Sequence, residues 1–309
     1  MTGSDVSEGF SVFTRAEWAA LQSGHELHLS ERELRGLGGL NETVTPEEAE
    51  SVYLPLSRLL GLHVGARRDL DAVKDRFLGR SGGGRPYVIG LAGSVASGKS
   101  TLARTLQALV SGWPDAPVAE IVTTDGFLLP TRRLEDLGLM SRKGFPESYD
   151  LRRMIRFLRD LKAGRPRIAV PVYSHRTYDI VPDEAQVVDR PDVVIFEGLN
   201  VLGLATNAPV VASDFFDFSI YLDAGTDDLE RWFVERRLLL QRTAFRDPSS
   251  YFHDQRDMPP DEARRVARQI WRSINLPNLL ENILPTRERA DLVLRKRSDH
   301  AVGEVWLRR

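Results

Sequence analysis

The segment Gly93-Ser94-Val95-Ala96-Ser97-Gly98-Lys99-Ser100 constrains this chain more than any other. It fits the pattern G-x-x-x-x-G-K-[ST] at every fixed position. The apolar run Tyr87 to Ala92 precedes it, and Thr101 to Leu109 follow with a helical period. Such a loop works between a strand and a helix. Gly93 and Gly98 let the backbone curl so that its N–H groups converge on an anion, and the helix dipole adds positive potential there. Lys99 is then placed to reach the β- and γ-phosphates of a nucleotide such as ATP, and the Ser100 hydroxyl to hold Mg²⁺. The nucleotide-binding set is Gly93, Ser94, Val95, Ala96, Ser97, Gly98, Lys99, Ser100 and Thr101. A loop of this kind names the ligand class but not what is done with it.

From Tyr87 onward, short apolar runs alternate with helical stretches. Strands are expected at 87–92, 119–124, 193–197, 218–223 and 291–295, and helices at 99–111, 151–163, 227–244 and 260–275. Short β-rich runs between helices imply parallel strands joined by crossovers. The fold class is therefore α/β, a parallel sheet of the P-loop NTPase type with helices on both faces. Residues 1–80 read as a helical extension and 81–309 as the catalytic core. Thr14-Arg15-Ala16-Glu17 has the form of a capping box. Thr45-Pro46-Glu47-Glu48 is a second helix start with Pro at the first position. Val52, Leu56, Leu59 and Leu60 then share a face. Ser81-Gly82-Gly83-Gly84-Arg85-Pro86 reads as a hinge, and residues 1–9 as a polar, frayed start rather than a secretory signal.

The chain has 309 residues, a formal net charge of −2 and no cysteine. The balance offers no basic field for nucleic acid or an anionic membrane. The missing cysteines exclude disulfides, thiolate zinc sites and cysteine nucleophiles, and fit a cytoplasmic protein. No apolar run approaches the roughly 20 residues needed to cross a bilayer.

In a parallel sheet of this class, ligands sit beyond the carboxyl ends of the strands. Asp125 directly follows the run Glu120 to Thr124, which suits a carboxylate accepting a hydroxyl proton during phosphoryl transfer. An ordinary turn Asp before Gly126 is the alternative. Glu197 follows Val193-Val194-Ile195-Phe196 and suits a Mg²⁺ ligand, direct or through water, or else a strand-end cap. Pro171-Val172-Tyr173-Ser174-His175-Arg176-Thr177-Tyr178 crowds rings and polar groups into a loop-like stretch, either a substrate wall or a surface hairpin. The helix around Trp232 offers Arg231, Arg236, Arg237 and Arg242 for stabilising transferred charge, and spacing alone does not choose among them.

The chain resembles the type I bacterial pantothenate kinases, within the phosphoribulokinase/uridine kinase-like group, from about Phe10 to Arg309. The stretches that carry the resemblance are Tyr53–Leu60, the phosphate loop, Thr123–Leu128, Lys143–Asp150, Pro171–His175, Glu197–Leu202 and Asn282–Arg287. It implies ATP-dependent phosphorylation of pantothenate, the first step of coenzyme A biosynthesis. It also implies feedback inhibition by coenzyme A, a homodimer, and no nucleic-acid or membrane partner. By resemblance Asp125 is the catalytic carboxylate, Lys99 and Ser100 bind triphosphate and Mg²⁺, and Arg236 binds substrate and stabilises charge. Tyr173, His175, Tyr178 and Asn275 line the acceptor site, Arg104 contacts coenzyme A phosphates, and Asn41, Lys296 and His300 lie near the base.

The chain also departs from the family. Arg237, Leu240 and Gln255 stand where aromatics are expected, and Phe233 where a tyrosine is expected; all four positions belong to the apolar part of the acceptor pocket. That altered wall keeps two other readings in view. One is a kinase of the same scaffold acting on a nucleoside, sugar phosphate or glycerate. The other is a nucleotide or coenzyme A sensor without turnover.

Overall fold

The structure, a computed structural model, describes residues 9–21, 26–80, 84–203 and 210–309. The first eight residues, and Ser81 to Gly83 of the expected hinge, lie outside them. The described chain begins with a strand, β1 (Phe10–Thr14), and helices α1 (Arg15–Ala20), α2 (Glu31–Leu37) and α3 (Pro46–Glu48). A π-helical turn at Ala49–Tyr53 leads into the long α4 (Leu54–Phe77). Both expected helix starts form: Thr14 and Glu17 make a reciprocal capping box, and the Thr45 side chain accepts from the Glu48 N–H. The wholly helical reading of 10–80 needs correction at β1. Its alternation Phe-Ser-Val-Phe-Thr is a strand pattern, and it finds a partner in β9 (Val302–Arg308), which lies almost 300 residues away in sequence.

The core continues with β2 (Tyr87–Gly93), α5 (Lys99–Val110), β3 (Ala119–Thr123), α6 (Thr131–Asp136) and α7 (Leu151–Lys162). Then come the hairpin β4 (Ile168–Ser174) and β5 (Asp179–Val188), β6 (Val193–Glu197), β7 (Phe218–Asp223) and α8 (Thr226–Arg242). The chain ends with α9 (Pro260–Ile270), the short α10 (Leu276–Asn278), β8 (Leu292–Lys296) and β9. All five expected strands form within a residue or so. The helix expected over 260–275 stops at Ile270 and passes into a π-helical turn, Trp271–Asn275.

The seven-stranded sheet has the order β1-β9-β8-β7-β2-β6-β3. Its five expected strands run parallel; β9 lies antiparallel to β8, and β1, antiparallel to β9, completes that edge. Side chains alternate across it. On one face Ile89, Leu91, Ile195 and Leu222 pack with Leu102 and Leu106 of α5 and Leu56 and Leu60 of α4. On the other, Val88, Val194, Phe196 and Tyr221 pack with Phe157 of α7 and Leu229 and Trp232 of α8. Strands apolar on both faces are what a sheet covered by two helix layers requires. The N-terminal helices join the first layer through Trp18, Leu34, Val44 and Val52. This arrangement brings the ends of β2, β3 and β6 together beneath α5 and α8.

Candidate active site

The loop after β2 has the backbone its glycines allow. Gly93 has φ +149°, and a Cβ there would lie 2.8 Å from the Leu222 carbonyl oxygen. Gly98 has φ +97°, and a Cβ would meet both Glu42 carboxylate oxygens at 2.5 Å. It precedes α5, whose first N–H groups face the loop. Lys99 Nζ donates to the Ser94 carbonyl at 2.7 Å and so spans the loop it belongs to. Burial pushes its ammonium down to about 8, against the pull of Glu197 and then Asp125.

Asp125 lies in the 3₁₀ turn Thr124–Phe127 at the end of β3, its N–H donating to Thr123 Oγ1 at 3.3 Å. Glu197, 7% exposed, ends β6. Burial raises its carboxyl above the usual range; Lys99 and a Ser100 hydrogen bond oppose that, and Asp125 adds to it. Arg236 on α8 is half-buried. Burial pulls its guanidinium down while Asp125 and Glu197 hold it up. Four charged groups from the turn after β3, from β6, α5 and α8 thus feel one another, the arrangement of an electrostatic site rather than of isolated surface charges. Arg231 and Arg242 are exposed, and Arg231 is engaged with Asp228 and the Ser298 carbonyl. Of the candidates on α8, Arg236 is the one whose field reaches Asp125.

Ser100 Oγ donates to Glu197 Oε2 at 3.2 Å. A hydroxyl and a buried carboxylate facing each other form a hard oxygen pair that suits Mg²⁺. Among the described residues no three His, Cys, Asp or Glu side chains converge. Ser100 and Glu197 would therefore be the protein's donors, with water and phosphate completing the shell, as Mg²⁺ commonly prefers.

The loop-like stretch at 171–178 is a hairpin tip, and it carries rings to Asp125. Of the two readings the structure forms the hairpin: β4 and β5 pair, and their turn presents His175 and Tyr178. His175 Nε2 lies 3.8 Å from Asp125 Oδ2. The Tyr173 ring stands edge-on to His175 at 5.2 Å and to Tyr178 at 6.4 Å. Tyr178 contacts Phe252 at 5.2 Å. Asn275 lies on the π-helical turn with its Nδ2 buried and unpartnered.

Sequence reasoning assigned no role to Lys143. Its Nζ sits 3.8 Å from the Tyr178 ring centre and donates to Thr131 Oγ1 at 3.1 Å. Burial pushes it down to about 8, with Asp179 and Asp125 opposing. It lies in one of the resembling stretches, but nothing in local spacing links it to a hairpin some thirty residues later.

Asn41, Lys296 and His300 come together on Trp232. Asn41 Nδ2 donates to the Trp232 carbonyl at 3.3 Å, and His300 stacks on the indole at 4.0 Å and 21°. Lys296 Nζ lies 5.6 Å from that ring and donates to the Ser97 carbonyl at 3.1 Å. Its ion-pair partner is Glu42, another residue sequence reasoning missed. His300 Nδ1 is buried without a partner. Arg104, expected on phosphate, instead donates twice to the Leu37 carbonyl, at 3.0 and 2.8 Å, and to Gly38 at 3.0 Å. It caps the carbonyl end of α2.

Two of the departing positions meet. Arg237 Nη2 donates to Gln255 Oε1, and the guanidinium lies over Phe252 at 5.0 Å and Phe245 at 5.4 Å. Phe233 packs on Trp271 at 5.8 Å, and Leu240 is half-buried.

Residues 88–236 match the model of the Phosphoribulokinase / Uridine kinase family. A solved D-glycerate 3-kinase from Cryptococcus neoformans has a similar fold, with TM-score 0.54 at 14% identity over 81% of this chain and 98% of that one. A pantothenate kinase of Sorangium cellulosum is 59% identical over 306 residues, 99% of each chain. One from Streptomyces coelicolor is 54% identical over 303 residues, 96% of this chain and 92% of its own. With a phosphate loop, a strand-end carboxylate pair and near full-length identity of this order, the chain belongs to the pantothenate kinase family.

Proposed function

We propose that this protein transfers the γ-phosphoryl group of ATP to the primary hydroxyl of pantothenate, the step that opens coenzyme A synthesis. The observation that carries the reading is the mutual electrostatic reach of Lys99, Asp125, Glu197 and Arg236 at the phosphate loop, in a chain 59% identical to a pantothenate kinase. The loop N–H groups and Lys99 bind the phosphates. Asp125 accepts the hydroxyl proton as the acceptor oxygen attacks phosphorus, and the bond to the ADP oxygen breaks. Arg236 holds charge on the transferring oxygens. Ser100 and Glu197 would hold Mg²⁺, which would supply charge neutralisation along the phosphates. Tyr173, His175, Tyr178, Lys143 and Asn275 orient the acceptor. Asn41, Lys296 and His300 frame the base beside Trp232.

Two further parts belong to the same proposal. Inhibition by coenzyme A would involve Arg104, whose field reaches Glu197 and Arg236 but whose guanidinium must first leave the Leu37 and Gly38 carbonyls. A homodimer would cover the outer face of α4. Leu62, Leu70, Val73 and Phe77 are 64%, 48%, 59% and 87% exposed there, and their spacing puts them on one stripe. No helix among the described residues is long and apolar enough to cross a membrane, and a cytoplasmic setting would supply the ATP.

The test is ADP release with ATP and Mg²⁺, with and without pantothenate, with the phosphorylated product identified by mass. Pantothenate-dependent turnover is expected. Hydrolysis indifferent to pantothenate would refute the assignment, and stronger turnover with glycerate or a nucleoside would transfer it.

A further inference from the structure

Several buried and half-buried cations of this protein have an acid beside them, whereas Lys99, Arg104, Lys143, Arg236 and Arg237 form no ion pair among the described residues. Lys162 pairs with Asp217, Arg67 with Asp71 and Asp217, Arg287 with Asp223, and Lys296 with Glu42. Arg237 has none among the described residues. Its guanidinium is half-buried against Phe245 and Phe252, and it hydrogen-bonds to the neutral amide oxygen of Gln255. A guanidinium has five N–H donors in a fork that matches a carboxylate. Holding one in an aromatic pocket with a single neutral acceptor is unfavourable unless an anion arrives.

We infer that Arg237 binds the carboxylate of the acceptor and makes this site select acid-ended acceptors over neutral-ended ones. The inference rests on the kinase reading above. Pantothenate has its primary hydroxyl at one end and its carboxylate at the other, roughly 10 Å apart when extended, by the reach of a chain of that many bonds. Asp125 and Arg237 stand at the two ends of one wall of rings. From Asp125 the wall runs through His175, Tyr173, Tyr178 and Phe252, with successive separations of 3.8, 5.2, 6.4 and 5.2 Å, and the guanidinium closes it 5.0 Å beyond. An acceptor with its hydroxyl at Asp125 and its body against these rings has Arg237 as the cation on the same wall.

Gln255 is a positioning residue in this arrangement. The buried Gln241 side chain donates to the Gln255 carbonyl at 2.9 Å and to the Met258 carbonyl at 2.8 Å. That fixes the segment from which the Gln255 amide aims the guanidinium. The aromatics missing at positions 237 and 255 are thus replaced by a linked pair that exchanges stacking for charge.

The experiment compares D-pantothenate with its primary amide, which has the same shape and no charge, in the wild type, Arg237→Phe and Gln255→Glu. The wild type is expected to show a KM for the amide at least about tenfold above that for the acid, the scale of one charge-assisted hydrogen-bonded pair. Arg237→Phe should raise the KM for pantothenate about tenfold, leave that for the amide within about threefold, and leave kcat and the KM for ATP near wild type. Gln255→Glu keeps Arg237 but supplies a counter-ion, and should raise the KM for pantothenate selectively. The acid-to-amide ratio is measured within one preparation, so partial loss of folded protein does not move it. An unchanged ratio in both variants overturns the inference while leaving the kinase assignment intact. Failure of the wild type to phosphorylate either acceptor overturns the kinase reading itself.

Discussion

Replacing Lys296 by Met should destabilise the protein by about 3–5 kcal/mol, the usual cost of stranding one partner of a buried ion pair. The Lys296 side chain is 1% exposed and that of Glu42 12%, so water cannot take over the lost contact. Methionine keeps most of the volume, so the cost is electrostatic rather than a cavity. The stranded carboxylate would sit where a Cβ of Gly98 would touch it at 2.5 Å, against the phosphate loop. The Ser97 carbonyl would also lose its 3.1 Å donor, about 1 kcal/mol more. At roughly 2 °C per kcal/mol for a chain of this size, thermal unfolding should fall by about 6–10 °C. The decisive comparison is the double variant Lys296→Met/Glu42→Gln, which removes the unpaired charge. It should recover about 2 kcal/mol or more of the loss, a coupling energy usual for residues in direct contact. Urea titration and differential scanning calorimetry of the three proteins measure it. A double variant no more stable than Lys296→Met would refute the claim that this pair braces the loop.

Other outcomes follow from the same geometry. Asp125→Asn should lower kcat about a hundredfold or more while leaving ATP affinity near wild type, as loss of a general base does; near-normal turnover in rapid-quench assays would remove Asp125 from that role. Nucleotide binding should weaken as pH rises past the depressed value of about 8 at Lys99. Below it the amine is charged both free and bound; above it binding must take up a proton, so affinity should fall about tenfold per pH unit. The unliganded protein's stability moves the other way from this group, rising with pH between about 8 and 10.5, because there the unfolded chain holds the extra proton. Calorimetric ADP titrations at pH 7 and 9 test the first effect, and a flat profile contradicts it. Phe77→Glu on α4 should shift sedimentation toward the monomer, with turnover per chain as the control; an unchanged sedimentation coefficient would discard the α4 stripe as a self-contact.

Much of the site was legible because its parts lie at places that local rules mark. A phosphate loop needs a strand before it and a helix after it, and both neighbours could be read in the residues. Asp125 and Glu197 each end an apolar run, and the rule that ligands collect at the carboxyl ends of parallel strands joins them without coordinates. Glu42 and Lys143 could not be found this way. Glu42 meets a lysine 254 positions away, and Lys143 meets a ring on a hairpin whose pairing was left open. The strand at Phe10 was missed because its five residues gain their hydrogen bonds from β9, at the far end of the chain. The π-helical turn after Ile270 has no sequence signature distinct from helix.

The residues by themselves determined the α/β class, the loop that receives an anion, and the set of strand-end acids, because these depend on backbone conformation and on hydrophobic period, which are local. Tertiary structure alone decided which arginine of α8 feels the charge of Asp125 and that Arg104 grips the end of α2. It also decided that Arg237 turns inward onto Phe252 with only an amide beside it. Those outcomes depend on which distant elements share a cavity and on whether a charge there finds a counter-charge, and a linear order of residues does not record either.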